Sequence, residues 1–358
     1  MKTLNYIGCK KSLIPKLTKV MEENIDDMSS KTFCDIFAGT GTVAFNMLDK
    51  FDTVVANDME SYSATISQAL IQCEYSDKLK QRITLMNAAD PHKGLMYKHY
   101  SNNKGDEIDV NKQCDRLFFT TSNAKKMDGI RVLLDHWLAI EDVTENEYNF
   151  LLSSLIVSVD KIANTSCVYG AYLKTLKKSA AASLVVVPIH QRRNIHNINR
   201  NRVYNLDANK LVEELKDVDV VYADPPYNQR QYSSNYTPLN ILCDYCSESV
   251  IYGKTGLVKG YNKSAFSSKT NVQTAFNNFV KRMRHVKMLI LSYNDEGIMT
   301  MCYIKKILLE RGDVVLYKFR YPKFKSNKNV KRKWIQELIW VSTIKRGGGK
   351  FKEVEVCE

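Results

Sequence analysis

The chain has 358 residues, of which 44% are hydrophobic and 25% charged, a balance typical of a globular protein with one or two domains. It contains no run of about 18 apolar residues, and Met1 to Lys11 lack the apolar region of a signal peptide, so we expect a cytoplasmic protein without a membrane span. Its nine cysteines, an odd number without regular spacing, do not form the disulfide framework of a secreted protein.

The first part of the chain alternates helical and strand patterns. Apolar residues at helical spacing predict a helix over 10–24, and buried apolar runs predict strands over 32–37 and 53–58. A further helix is expected over 42–50, between the two strands. This βαβ order is typical of an α/β fold built on a parallel sheet.

The pattern changes between residues 91 and 202. A polar, turn-rich stretch at 101–115 precedes helical patterns at 124–138 and 145–162. We therefore predict a mainly helical module, 91–202, inserted into a domain formed by 1–90 and 203–358. Strand patterns return at 203–206, 218–223, 287–292, 313–319 and 337–343, and three glycines at 347–349 begin a tail that we expect to be loose.

The net charge of +13 is unevenly distributed. Residues 161–206 contain eight lysines and arginines and no acid, and residues 323–333 contain six basic residues and no acid. Two acid-free basic tracts indicate a polyanionic partner.

One cysteine pair, Cys243 and Cys246, has the CxxC spacing. A zinc site normally needs a second pair or two histidines at comparable spacing, and none follows. We expect free thiols here and no metal.

A glycine turn follows the first predicted strand. Gly39 and Gly41 allow the backbone to approach a ligand closely, and Asp58 ends the next strand, where it can bind ribose hydroxyls. These features alone also fit a nicotinamide dinucleotide. Asp35, just before the turn, would repel a pyrophosphate but attract a cationic sulfonium with its ammonium group, and it therefore favours S-adenosylmethionine.

The most specific stretch is Asp224-Pro225-Pro226-Tyr227, directly after a buried strand. Two prolines end the strand in a stiff loop, which holds a carboxylate and an aromatic ring at the sheet edge. The Asp224 carboxylate and the Pro225 carbonyl can accept the N–H groups of an adenine amine, so that its lone pair turns towards a methyl donor. Tyr227 can stack on a base flipped from the duplex.

Together these residues resemble the amino-methyltransferases that act on DNA adenine, in the motif order of the Dam and D12-class enzymes. The resemblance covers about 1–90 and 203–345. It implies a Rossmann-like class I methyltransferase fold, with a mostly parallel seven-stranded sheet and an antiparallel C-terminal hairpin strand. It also implies that S-adenosylmethionine is bound by Tyr6, Gly8, Lys10, Asp35, Phe37, Gly39, Gly41, Asp58, Asp207, Ala208 and Asp224.

The resemblance gives finer roles and shows two departures. It places Lys10 near the methionine carboxylate and Asp207 at the cofactor adenine. Cys9 stands where the family often has serine, and Ala208 where it often has phenylalanine, which leaves the packing against the cofactor adenine open.

The resemblance also implies that the insertion recognises the DNA sequence. Arginine suits guanine, and asparagine or glutamine suits adenine, whereas lysines suit phosphates. The candidate DNA contacts are Lys174, Lys177, Lys178, Gln191, Arg192, Arg193, Arg200, Lys328, Lys331 and Arg332. The expected substrate is double-stranded DNA, and a cognate restriction endonuclease would act separately.

Four alternatives stay open at the level of sequence. Adenine in RNA could be methylated by the same chemistry, and a cytosine amino-methyltransferase is conceivable, although its motif usually begins with serine. A nicotinamide-dependent oxidoreductase would leave residues 224–227 unexplained. An inactive methyltransferase domain that only binds DNA conflicts with the intact Asp35, Asp58 and Asp224.

Overall fold

A computed structural model of the protein describes residues 1–6, 8, 10–102, 116–322, 334–345 and 347–356. The helices are α1 (Ile14–Asn24), α2 (Thr42–Met47), α3 (Ser61–Ile71), α4 (Asp77–Asn87), α5 (Leu95–Tyr100), α6 (Thr121–Ala139), α7 (Glu145–Lys161), α8 (Ala208–Leu211), α9 (Tyr232–Asn235), α10 (Thr237–Asp244), α11 (Val272–Arg282) and α12 (Met301–Arg311). The strands are β1 (Thr32–Asp35), β2 (Thr53–Asn57), β3 (Arg202–Tyr204), β4 (Val220–Ala223), β5 (Ile251–Tyr252), β6 (Leu257–Val258), β7 (Met288–Asn294), β8 (Gly312–Pro322), β9 (Trp334–Ile344) and β10 (Phe351–Glu355).

Eight strands of the described chain form one sheet, in the order β10-β8-β9-β7-β4-β1-β2-β3. The five strands β7, β4, β1, β2 and β3 are parallel to one another, whereas β9 runs antiparallel to both β7 and β8. The predicted α/β class, the mostly parallel sheet and the antiparallel C-terminal hairpin are confirmed. None of the described helices is long and apolar enough to cross a membrane.

The expectation of a loose tail after the glycines is wrong for residues 351–355, which form β10 parallel to β8 as an eighth strand. An edge strand such as β8 carries unpaired backbone groups, which β10 satisfies. Its side chains alternate between the two sheet faces. Phe351 lies 6.4 Å from the Trp340 ring, and Val354 packs against the core on the opposite face.

Two hydrophobic cores cover the two faces of the sheet. Consecutive residues of β1 belong to different cores, Phe33 to one and Cys34 to the other, as the alternation of a strand requires. Helix α7 of the insertion begins at a capping box between Thr144 and Glu147, and its fully buried Phe150 lies in the same core as Phe33. The insertion thus shares a core with the sheet, and its separation as a domain stays a prediction.

The strands β1, β2 and β4 are adjacent and parallel, so their carboxyl ends meet at one edge of the sheet. The glycine turn follows β1, Asp58 follows β2, and Asp224 follows β4. In open α/β sheets, ligands bind at this edge. The topology therefore brings together three motifs that are up to 189 residues apart in the chain, the difference between positions 224 and 35.

Candidate active site

The glycine turn has the backbone conformation that its sequence suggests. Gly39 and Gly41 have φ of +55° and +66°, in the left-handed region that other residues rarely adopt. A Cβ on Gly41 would lie 2.8 Å from the side chain of Leu70, and one on Gly39 would lie 3.1 Å from the ring of Tyr6. Both positions therefore combine an unusual φ with tight surroundings.

Asp35 is buried at the end of β1, and only one of its two carboxylate oxygens has a hydrogen-bond partner among the described residues. Its Oδ2 accepts a hydrogen bond from the Ala44 backbone N–H at 3.2 Å, but its Oδ1 has no hydrogen-bond partner among the described residues. Burial, and then the charge of nearby Asp224, raise the pKa of Asp35 well above its ordinary value. A cationic group placed against Oδ1 would supply the missing partner and favour the charged carboxylate.

Asp58 is held in place by backbone donors. Its two carboxylate oxygens accept hydrogen bonds from the N–H groups of Gly39, at 2.8 Å, and of Glu60, at 2.9 Å. Beside it, the Asn57 amide donates to the carbonyls of Ile36, at 3.0 Å, and Leu206, at 3.1 Å. Asn57 thereby joins the loops after β1 and β3, and sequence reasoning did not single it out.

One cleft contains nearly all the predicted catalytic and cofactor-binding residues. It has an empty volume of about 1050 Å³, a figure that includes the open solvent at its mouth. Gly41 lies one residue from the lining and shapes the turn. The predicted residues that line the cleft are Tyr6, Gly8, Lys10, Asp35, Phe37, Gly39, Asp58, Asp207, Ala208, Asp224, Pro225, Pro226 and Tyr227.

At the Asp224 end of the cleft, polar groups surround the ammonium group of Lys10. Its Nζ lies 2.5 Å from the Tyr227 hydroxyl, 2.7 Å from Glu337 Oε1 and 3.2 Å from Asp224 Oδ1. The Tyr227 hydroxyl donates to the Asp224 carboxylate. The Lys10 ammonium also lies 4.6 Å from the centre of the Tyr227 ring, so it contacts both the Asp224 carboxylate and the hydroxyl end of the ring.

These contacts shift the pKa values of Asp224 and Lys10. Burial, opposed by the Lys10 ammonium and assisted by the nearby Glu337 charge, raises the pKa of Asp224 to about 6. Burial alone would lower the pKa of Lys10, but the Asp224 and Glu337 carboxylates outweigh it, and the net shift is upward. Lys10 is therefore a fixed cation at neutral pH, whereas Asp224 titrates near physiological pH.

Glu337, on β9, is the residue of this cluster that sequence reasoning missed. Its side chain is buried, and the Ser292 hydroxyl donates to its Oε1 at 2.9 Å. The sequence did contain a signal, a carboxylate within a mostly apolar predicted strand. Charged residues are rarely buried without a partner, so this carboxylate indicated a buried cation nearby. The register of β9 against β7 pairs Glu337 with Asn294, two residues beyond Ser292 on β7.

The cysteine pair shows no metal site. Cys243 Sγ lies 3.0 Å from the Thr65 hydroxyl, and Cys246 is an exposed free thiol. Within the described ranges, no group of three or more histidine, cysteine or acidic residues could hold a metal ion.

The predicted DNA-contacting residues that the structure describes lie outside the cleft. Three of the arginines form ion pairs with acids of the catalytic part: Arg192 with Asp49, Arg193 with Asp77, and Arg200 with Asp52.

The other candidates differ in exposure. Lys177 donates to the Thr165 carbonyl at 2.7 Å, whereas Lys174, Lys178 and Gln191 are exposed. Lys328, Lys331 and Arg332, like position 9, lie outside the described residues. The DNA contacts assigned to these side chains stay predictions.

The cleft at the carboxyl edge, with a glycine turn facing an Asp-Pro-Pro-Tyr loop, defines an amino-methyltransferase. The family described as D12 class N6 adenine-specific DNA methyltransferase matches residues 6–307, and the chain belongs to this family. The reaction is methylation of adenine in DNA, which decides against the RNA, cytosine and nicotinamide alternatives.

Two relatives span nearly the same length. The type II methyltransferase M.NlaIII of Neisseria lactamica is 36% identical over 333 residues, which cover 92% of this chain and 95% of that protein. The type II methyltransferase M.CviAII of Paramecium bursaria Chlorella virus 1 is 33% identical over 323 residues, 90% of each. A solved rRNA methyltransferase, aviRa of Streptomyces viridochromogenes, covers 94% of this chain and 86% of its own at 9% identity, but its TM-score of 0.32 supports no further conclusion.

Proposed function

We propose that the cleft binds S-adenosylmethionine together with one adenine flipped out of double-stranded DNA, and that Asp224 directs the 6-amino group towards the methyl donor. The observation that supports this most is the presence of the glycine turn and the Asp224–Tyr227 loop in a single cleft. The unpaired Asp35 Oδ1 at one side of this cleft gives the charge preference that such a cofactor requires.

The lining residues suit the parts of this cofactor. Asp35 would bind the methionine ammonium, Asp58 the ribose hydroxyls, and Asp207 with Ala208 the adenine ring. Lys10, which lines the cleft, would lie near the methionine carboxylate of the cofactor. Its ammonium also contacts Asp224. When bound, the cofactor supplies a methyl group activated by a sulfonium.

Asp224 prepares the acceptor amine for transfer. Its carboxylate and the Pro225 carbonyl accept the two N–H bonds, so that the nitrogen lone pair leaves the plane of the ring and faces the methyl carbon. As the nitrogen–carbon bond forms, the carbon–sulfur bond breaks, and the nitrogen loses one proton. Asp224, with a pKa of about 6, is the base within reach of this proton.

Tyr227 supplies the stacking surface for the base. Its ring makes an edge-to-face contact with Tyr293, with ring centres 4.8 Å apart at 67°, so the ring is held in a fixed orientation. The Lys10 ammonium lies at the hydroxyl end of the same ring, 2.5 Å from the hydroxyl oxygen. The remaining catalytic effect comes from positioning and electrostatics.

We further propose that the insertion 91–202 carries target recognition, that the protein acts in the bacterial cytoplasm or nucleoid, and that a separate cognate restriction endonuclease shares its recognition sequence. The relatives named as type II methyltransferases support the last point.

Isothermal titration with S-adenosylmethionine, followed by methyl transfer to duplex DNA, tests the proposal. We expect binding with one site per chain and N6-methyladenine as the product. Binding of a nicotinamide dinucleotide in place of S-adenosylmethionine would overturn the cofactor assignment.

A further inference from the structure

The basic residues of this protein divide between the two edges of the parallel sheet. Asp49 and Asp52 lie just before β2, and Arg200 just before β3, so the ion pairs of Arg192 and Arg200 are at the amino edge, opposite the cleft. Arg193 pairs with Asp77 at the start of α4, on the same side. A duplex whose flipped base enters the cleft would not reach this edge.

A third acid-free stretch lies nearer to the cleft. Residues 249–294 contain eight lysines and arginines and no aspartate or glutamate. At its far end the basic residues are paired at the amino edge, Arg282 with Glu213 at 2.9 Å and Lys287 with Asp219 at 2.7 Å.

Three lysines at the other end of this stretch differ. Lys254, Lys259 and Lys263 are exposed, and none has an acidic partner among the residues that the structure describes. We call these three side chains the rim lysines. Their charges are balanced by no neighbouring carboxylate within that part of the chain.

The segment that carries the rim lysines is fixed to the mouth of the cleft. Ser264 and Gln231, which both line the cleft, exchange two hydrogen bonds, of 2.8 and 3.2 Å. The Ser233 hydroxyl donates to the Asn262 carbonyl at 2.8 Å. These contacts place Lys263, the neighbour of Ser264, at the mouth of the cleft.

The insertion holds the other end of the same segment. The Tyr100 hydroxyl donates to the Gly256 carbonyl at 2.6 Å, and the Arg116 guanidinium donates to the Gly253 carbonyl at 2.9 Å. Lys254 lies in the turn between β5 and β6 that these contacts support. The rim lysines therefore lie between the insertion and the catalytic loop, on a supported backbone.

We propose that the rim lysines bind the phosphates of the DNA strand that carries the target adenine, and that the arginines of residues 192–200 do not contact DNA. This inference rests on the proposed function. Lys263 at the mouth, with Lys259 and Lys254 further along the same segment, can contact successive phosphates of that strand, whereas the ion-paired arginines lie at the opposite edge of the sheet.

The test compares two triple variants of the full chain. One is Lys254→Gln, Lys259→Gln and Lys263→Gln, and the matched control is Arg192→Gln, Arg193→Gln and Arg200→Gln. Five of the six side chains are exposed and Arg192 is half-buried, so we expect their charges to contribute little to folding, and circular dichroism melting of each variant checks that it folds. The duplex is the substrate that wild-type protein methylates.

The measured quantity is the slope of the logarithm of the DNA association constant against the logarithm of salt concentration. Each phosphate that the protein no longer neutralises makes this slope shallower by about 0.9, so we expect a change of about 2.7 in the rim variant and none in the control. The KM for DNA should rise in the rim variant while kcat at saturating DNA is retained. An unchanged slope in the rim variant, or a shallower slope in the control, overturns the inference.

The two proposals fail in different ways. If wild-type protein methylates DNA and the rim variant keeps the wild-type slope, only the rim lysines are misassigned. If wild-type protein neither binds S-adenosylmethionine nor methylates duplex DNA, the proposed function fails before the variants are compared.

Discussion

The Lys10 ammonium lies 2.7 Å from Oε1 of Glu337, across a separation of 327 residues in the chain. Oδ1 of Asp224 lies 3.2 Å from the nitrogen of the same ammonium, so two buried carboxylates share one cation. Of the two carboxylates, Glu337 makes the shorter contact. The negative charge of Asp224 is therefore less neutralised than it would be if Asp224 alone paired with Lys10. The charge on Asp224 is thus set jointly by residues from the N-terminal segment and from β9.

A substitution of Asp224 tests the role of its carboxylate. Asp224→Ala removes the acceptor of the amine N–H bonds, and we expect methyl transfer to fall by at least about 100-fold, the effect of losing one positioned charge-stabilising group. Binding of S-adenosylmethionine by calorimetry should remain. Asp219→Asn is the matched control, because Asp219 precedes the same strand at the opposite edge and pairs with Lys287. Turnover by Asp224→Ala at the control's rate would remove Asp224 from its role.

The pH dependence of transfer follows from the raised pKa of Asp224. Its value moves from 3.8 to about 6, so the carboxylate becomes protonated as the pH falls through 6. Since the reaction needs the unprotonated form, kcat/KM, which reports the free enzyme, should be level above about pH 7 and fall about tenfold per unit below about pH 6. A rate that stays level down to pH 4 would mean that Asp224 is not the titrating group.

The acidic limb of the pH profile is the range below about pH 6 in which the rate falls. Two substitutions should move this limb in opposite directions. The Lys10 ammonium lowers the pKa of Asp224 and the Glu337 charge raises it. Lys10→Met should therefore shift the limb to higher pH, and Glu337→Gln to lower pH. A purely structural role for either residue would change the rate without moving the limb, and a shift of both variants in one direction would contradict the cluster as described.

Asp35 should control cofactor affinity by its charge. Asp35→Asn keeps the shape of the side chain but removes the negative charge beside the unpaired Oδ1 position. A hydrogen bond to a charged group contributes about 1.5–3 kcal/mol, so the Kd for S-adenosylmethionine should rise by about 10- to 150-fold in calorimetry. DNA affinity in the same variant serves as the control and should not change. An unaltered Kd for the cofactor would argue that Asp35 only supports the turn.

The ring of Tyr227 and its hydroxyl group can be separated. Tyr227→Ala should weaken the binding of an extruded base by about 1–3 kcal/mol, because the stacking surface is lost. Tyr227→Phe keeps this surface and loses only the hydroxyl group, with its hydrogen bonds to Asp224 and Lys10. With 2-aminopurine at the target position, fluorescence enhancement should persist in Tyr227→Phe and decrease in Tyr227→Ala. Equal enhancement in both variants would exclude stacking on this ring.

The motifs could be predicted from sequence because each lies where a parallel strand ends. Asp35, Asp58 and Asp224 follow buried apolar runs, and parallel strands bring such ends together. Glu337 could not be placed in this way, since its contact with Lys10 depends on the register of an antiparallel strand. The strand β10 was missed because its pairing depends on the free edge of β8 rather than on its own pattern.

The basic tracts show a second limit of sequence reasoning. The arginines at 192, 193 and 200 stand in an acid-free stretch, but the acids that pair with them, Asp49, Asp77 and Asp52, come from distant parts of the chain. Local composition shows the charge of a segment and not the partners that folding brings to it.

Nucleoside mass spectrometry of duplex DNA treated with this protein and S-adenosylmethionine tests the central claim most directly. The account predicts N6-methyladenine from the wild-type chain and none from Asp224→Ala, although both bind the cofactor. A methylated cytosine as the product, or N6-methyladenine formed equally by both chains, would contradict it.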